Sequence, residues 1–237
     1  MTVEKTVETF IDNNIGKFHA DRTSKLSELN LAKLLGKKSP FLYTFLNKTT
    51  PDKIVSQMLD PYLSSSIETT FGSWMEKLAI DIACNVYGGF KSSIKGIDFE
   101  MIKDDVYYIF QVKSGPNWGN ASQIESLERH FQNAKRQLAK SVKMPIVAIN
   151  GCMYGTAEEY KSVYWKYCGK KFWELVSGDS GIYLKLIDLL SYKSKEYNDQ
   201  FDIEYSNTYN RFLNEFTADY CDSNGQVNYD KILKIGA

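Results

Sequence analysis

The sequence predicts an α/β fold: a mixed β-sheet core flanked by helices, with helical elaborations at the N- and C-terminal ends. Three observations predict it. Residues 97–102 (Ile-Asp-Phe-Glu-Met-Ile) and 106–113 (Val-Tyr-Tyr-Ile-Phe-Gln-Val-Lys) are β-branched and aromatic, and Lys103-Asp104-Asp105 between them is turn chemistry. Residues 68–84 and about 120–142, on either side of this hairpin, carry apolar side chains at helical spacing. Pro145-Ile-Val-Ala-Ile-Asn150 is a short apolar run suited to a buried strand. The order is therefore helix, hairpin, helix, strand. A crossing helix makes the last strand parallel to the hairpin's second strand.

Taken in order, residues 1–60 read as short helices, with Val3, Val7, Phe10 and Ile11 at helical spacing and Leu26 to Leu35 more loosely so. Pro51 opens a further helix and Pro61 interrupts it. The helix over 68–84 directs Phe71, Met75, Leu78 and Ile82 inward, and Gly88-Gly89 ends it. Asn120 with Gln123 has capping-box spacing and starts a helix with Ile124, Leu127, Phe131, Ala134 and Leu138 inward. Beyond Gly151 the chain reads as helices over about 157–168, 171–177, 181–192 and 196–221. No repeat or linker is evident, so the expectation is one domain over 1–237, with its core at about 68–150 and elaborations at 1–60 and 152–237.

Composition narrows the function classes. The 237 residues are 43% hydrophobic and carry 29 basic and 29 acidic side chains, so affinity for a polyanion has to come from local patches. The four cysteines lack C-x-x-C spacing, which argues against a zinc site, an iron–sulfur site or a disulfide framework. The charged N-terminus has no apolar signal region and no run reaches membrane-spanning length, so a cytoplasmic protein without a membrane partner is expected.

The hairpin carries the chemistry. With Asp104-Asp105 as a two-residue loop, Lys103 pairs with Val106 and Asp98 stands opposite Gln111, their Cβ atoms about 5 Å apart. Lys113 points to that same face, and Glu100 lies on it too. Ile97, Phe99, Met101, Tyr108, Phe110 and Val112 make the opposite, core-facing surface. A plain polar strand face turned to water would carry the same three side chains, so their spacing alone does not decide the matter.

Asp98-x12-Gln111-x-Lys113 on a hairpin, preceded by a helix with Gly72-x3-Glu76 and followed by helix then strand, resembles the PD-(D/E)XK nuclease superfamily. Gln-Val-Lys-Ser-Gly-Pro-Asn-Trp at 111–118 and Phe-Trp-Glu-Leu-Val-Ser-Gly-Asp at 172–179 resemble, more narrowly, a group of type II restriction endonucleases. The resemblance implies a restriction-endonuclease-like fold and a Mg²⁺-dependent endodeoxyribonuclease, with Mn²⁺ as a substitute. Asp98, Gln111 and the Val112 carbonyl would ligate the ion, Lys113 would act on the attacking water or the phosphate, and Glu76 would hold a second ion or its water shell. It also implies a homodimer acting on double-stranded DNA, with a companion DNA methyltransferase in the cell.

One departure stands out. The family pattern usually has Asp or Glu where this chain has Gln111, which offers a carbonyl oxygen without charge. Glu76 and Glu100 are the candidates to supply that charge. Asn117, Trp118, Asn120, Arg129 and Arg136 are candidate DNA contacts, and Arg129, Lys135, Arg136 and Lys140 a candidate phosphate-facing stripe. Loop chemistry, helix capping and a solvated charged face are their ordinary alternatives. Gly178-Asp179-Ser180-Gly181 is read as a helix start, because neither His19 nor His130 has the context of a serine-protease base; both histidines are expected at the surface. The rival readings are a structure-selective repair nuclease or resolvase of the same fold, and a DNA-binding module without catalysis.

Overall fold

The computed structural model describes residues 2–235, except for the side chains of residues 192–196. The chain forms two compact units. The first comprises Met1–Asn14 and Phe71–Lys193, the second Ile15–Thr70 and Ser194–Ala237.

The first unit holds a six-stranded mixed sheet. Its strands are β1 (Phe90–Lys91), β2 (Phe99–Lys103), β3 (Val106–Lys113), β4 (Ile146–Cys152), β5 (Glu158–Lys161) and β6 (Tyr164–Cys168), in the order β1-β2-β3-β4-β6-β5. The β2–β3 hairpin has the register the turn dictates: Lys103 opposite Val106 and Phe99 opposite Phe110. Asp104 and Asp105 both have positive φ (50° and 58°), the geometry of a two-residue turn that follows the strand twist. β4 runs parallel to β3, as the intervening helix requires, and pairs Gln111 with Asn150.

That helix, α5 (Ala121–Leu138), opens with a complete capping box between Asn120 and Gln123. Its Leu127, Phe131 and Ala134 pack with Tyr107, Ile109, Ala148 and Tyr164 of the sheet. Ile124 is exposed instead of inward. Ile97 joins this cluster rather than the opposite face, because it precedes β2 and escapes the strand's alternation. On that opposite face Phe99 and Phe110 are fully buried and stacked, with ring centroids 4.2 Å apart.

Several helices differ from expectation. α1 (Val3–Ser27) is one long helix, where short ones are expected. α4 (Pro51–Tyr87) runs straight through Pro61. Pro61 is solvent-exposed, while Ile54, Val55, Met58, Leu59 and Leu63 around it are buried in the core of the second unit. That packing offsets the lost hydrogen bond, which costs about 3 kcal/mol in a helix interior.

Residues 157–168 form the β5–β6 hairpin and not a helix. Its Tyr160, Trp165 and Tyr167 are strand-forming residues whose rings contact one another across and along the strands. α6 (Lys170–Ser177) follows, and α7 (Ile182–Tyr220) is continuous where two helices are expected. The second unit also contains α2 (Leu31–Leu35), α3 (Pro40–Phe45) and α8 (Tyr229–Leu233). All four cysteines are free thiols. No described helix is long and apolar enough to cross a membrane.

Candidate active site

The site is built where the hairpin meets α4 and α5, within the first unit. Asp98 stands one residue before β2. Its N–H donates to the carbonyl of Phe110 (2.8 Å), the residue that Phe99 already faces, so the regular pairing ends at Phe99 and Asp98 stands at an irregular step beside β3. Its Oδ2 accepts the Val112 N–H at 2.6 Å. That bond fixes the carboxylate against the strand carrying Gln111 and Lys113. Burial pushes the Asp98 carboxyl above its ordinary range, and the Val112 N–H, Lys113 and Lys91 hold it back in part.

Glu76 is half-buried on α4. Burial raises its carboxyl as well, and the neighbouring negative charge of Asp98 adds to the shift, against Lys91, Lys113 and Lys77. A carboxylate whose proton affinity is raised by a neighbouring carboxylate is stabilised by a cation close to both. Gly72, one turn earlier, explains the Gly-x3-Glu spacing. A Cβ there would run into Ser114 Oγ, so glycine lets this helix approach the end of β3 closely.

Glu100 does not reach this group. It is buried and accepts the Tyr107 hydroxyl at 2.6 Å, so its carboxylate is committed inside the sheet. Of the two acidic candidates, Glu76 is the one whose carboxyl interacts with Asp98.

Gln111 and Lys113 line a cavity of about 340 Å³ together with Trp118, Gln123, Ser126 and His130. Lys113 Nζ lies 5.0 Å from the centroid of the Trp118 ring. His130 is no plain surface residue: it packs against Gly96, whose φ is +81° and where a Cβ would run into the imidazole. His19 is likewise buried, stacked on Tyr197 in the second unit. Gly96→Ala is expected to destabilise the protein by about 1–3 kcal/mol through backbone strain alone, with the clash added. Thermal denaturation measures it; an unchanged melting temperature would mean that the loop and α5 are not packed this way.

The DNA-contact candidates separate by geometry. Asn120 is the N-cap of α5: its side chain accepts the Gln123 N–H and the Ser122 hydroxyl. Trp118 donates its Nε1–H to Asn150. Lys135 turns back to the Val163 carbonyl (2.7 Å) and so leaves the charged stripe. Asn117, Arg129 and Arg136 are exposed.

Lys91 and Asn150 come to the site without having been singled out in the sequence, and His130 comes there although it is expected at the surface. Each arrives through pairing or packing, and Lys91 lies on a strand of only two residues. Gly178 is a left-handed C-cap and Asp179 accepts the Gly181 N–H, so Gly-Asp-Ser-Gly is a helix junction with no catalytic arrangement.

A family model described as type II restriction endonuclease EcoO109I matches residues 5–198, most of the chain. The chain belongs to this family. The EcoO109I family lies within the restriction-endonuclease-like PD-(D/E)XK superfamily, and the six-stranded mixed sheet flanked by helices fits that fold. Enzymes of the EcoO109I type hydrolyse double-stranded DNA and generally use divalent metal ions. No curated protein matches the chain.

The donor set bears on the metal. Among the described residues no three His, Cys, Asp or Glu side chains cluster as a metal site. What the hairpin and α4 offer is two carboxylates, a carboxamide and a strand carbonyl. These are oxygen donors only, the ligand type that hard divalent cations prefer over sulfur or imidazole.

Proposed function

We propose that the chain is a Mg²⁺-dependent, sequence-specific endodeoxyribonuclease that cuts both strands of a palindromic DNA site as a homodimer. The observation that supports this reading is the Asp98 carboxylate bonded to the Val112 amide, on the strand segment between Gln111 and Lys113. Asp98, Gln111 and the Val112 carbonyl would hold the ion, with Glu76 holding a second ion or its water shell. The ion would withdraw charge from the scissile phosphate and acidify a water. Mn²⁺ should substitute for Mg²⁺.

The protein's own groups do the rest. Lys113 orients the attacking water and neutralises charge that develops on the phosphate oxygens. Gln111 positions through its carbonyl oxygen. Asn117, Arg129 and Arg136 are the exposed donors offered to DNA, while Asn120 and Trp118 are already bonded within the protein. Neutral overall charge suits an enzyme that relies on a local basic surface, with binding that falls steeply as salt rises. The first unit, with the sheet, would carry the chemistry. A companion methyltransferase would protect the host's own sites.

One observation favours a second reading. With Glu100 committed to Tyr107, the site holds one carboxylate fewer than it otherwise might, as expected of a DNA-binding module that has lost catalysis. Purified protein incubated with plasmid and Mg²⁺ separates the readings. Discrete fragments, absent with Asp98→Ala, support restriction cleavage; a smear means a nuclease without sequence choice, and intact plasmid means the binding module. Gln111→Glu adds the missing charge. It should lower the Mg²⁺ concentration giving half-maximal cleavage by roughly tenfold, about 1.4 kcal/mol of binding. An unchanged metal requirement would remove Gln111 from the ligand set.

A further inference from the structure

Trp118 is offered by the sequence as a DNA contact, yet the protein itself uses both its N–H and its ring face. The indole Nε1–H donates to Asn150 Oδ1 at 3.1 Å. Asn150 is fully buried in β4, where it pairs with Gln111 of β3, and its Nδ2 donates to the Gln111 carbonyl at 3.1 Å. A buried carboxamide is costly unless both ends are bonded, and here both are. The Lys113 ammonium sits over the indole face, 5.0 Å from its centroid. From the far side of β4, Lys166 Nζ donates to the Pro116 carbonyl at 2.8 Å, which ties the same loop to β6. Residues 114–119 are thus tethered to the sheet at two points, and the indole is a fixed platform.

We propose that Trp118 and Asn150 are positioning residues: the Asn150 side chain sets the plane of the Trp118 ring, and the ring holds the Lys113 ammonium in place for the reaction. This rests on the nuclease reading of Lys113. A lysine side chain has many rotamers and acts as a point charge, so its position must be imposed from outside. The quadrupole of an indole face, negative over the ring, supplies that restraint. The hydrogen bond to Asn150 keeps the face turned toward Lys113, and the bond from Asn150 to Gln111 couples the ring to the strand that carries both site residues.

Single-turnover cleavage rate and DNA affinity without metal, measured on the full chain, test the proposal. Trp118→Ala should slow cleavage by ~10–100-fold, the scale expected for a reacting group displaced by about 1 Å. Its DNA dissociation constant should change less than about twofold, well below the roughly tenfold loss expected when a base-stacking aromatic is removed. Trp118→Phe keeps an aromatic face and should recover most of the rate, so a folding defect in the alanine variant cannot imitate the result. Asn150→Ala keeps the ring and, like Trp118→Phe, loses only the bond that sets its plane, so it should slow cleavage by about a few-fold, less than Trp118→Ala. In a Lys113→Ala background, Trp118→Ala should add nothing, because its effect passes through Lys113.

Weakened DNA binding with an unchanged rate would make Trp118 a DNA contact and overturn the proposal. So would a further full loss in the Lys113→Ala background. If Lys113→Ala alone cleaves normally, the reading of Lys113 fails first, and that result is visible before any Trp118 variant is made.

Discussion

Lys113→Ala should lose cleavage by about 10²–10⁴-fold, the range contributed by a positioned proton-transfer or charge-stabilising group, while DNA binding persists. The expectation follows from where the ammonium stands. Lys113 closes β3, two residues beyond Gln111, lines the cavity beside it and lies near enough to Asp98 and Glu76 to affect both carboxyls. A cation there meets the phosphate where negative charge grows during attack. Other basic groups remain for ground-state binding, among them the exposed Arg129 and Arg136. Cleavage rate and a filter-binding or anisotropy titration, measured together, separate the two effects. Equal rates in variant and parent would remove Lys113 from the mechanism.

Asp98→Asn should abolish metal-dependent cleavage and at the same time stabilise the metal-free protein. Asparagine keeps an oxygen to accept the Val112 N–H, so the hairpin contact at 2.6 Å survives. What disappears is a partly buried negative charge. Burial raises the Asp98 carboxyl, and only in part do the Val112 amide, Lys113 and Lys91 oppose it. The folded protein therefore retains a proton that the unfolded chain has already released. Stability falls as pH rises from the ordinary carboxylate range through the raised folded value, and the whole cost is present above that value. Glu76 shifts in the same direction and adds to the slope.

Removing the Asp98 charge should raise stability at pH 7 by about 1 kcal/mol, the usual scale of one stabilising substitution, or ~2–4 °C in Tm for a chain of this size. Parent and variant curves should converge as the pH falls below the carboxylate range. Mg²⁺ should raise the Tm of the parent and not of the variant. A variant less stable than the parent at pH 7 would mean that Asp98 is a structural carboxylate, stabilised in its charged form.

How much of this was legible in the sequence depends on how local the signal is. The β2–β3 register was legible from Phe99 to Lys103, because a two-residue Asp-Asp loop fixes register and register fixes which side chains face each other; ahead of Phe99 the alternation breaks and Ile97 changes face. The α5 cap was legible for the same reason: it is made by residues three apart. The β5–β6 hairpin was misread because aromatic side chains at short spacing suit a helix or a strand, and pairing with β4 decides between them. Pro61 was misread because burial around it outweighs its intrinsic penalty.

At the site, alternation along β3 puts Gln111 and Lys113 on one face, while Asp98, ahead of β2, is tied to that strand by its bond to the Val112 N–H. Glu100 shares the strand parity of Asp98, yet its partner Tyr107 lies across the hairpin and claims it. Asn150, Lys91 and His130 had no local signature. They reach the site through a parallel strand, a two-residue edge strand and a packed helix, all tertiary events.

The most direct measurement is a crystal structure of the protein with a cleavable DNA duplex and Mn²⁺, with the ion located by anomalous scattering. The account predicts a peak in direct ligand contact with Asp98 and with a non-bridging oxygen of the scissile phosphate, and the Lys113 ammonium beside the same phosphate. A DNA duplex bound with its scissile phosphate away from the β2–β3 hairpin, or an ion that Asp98 does not touch, would contradict it.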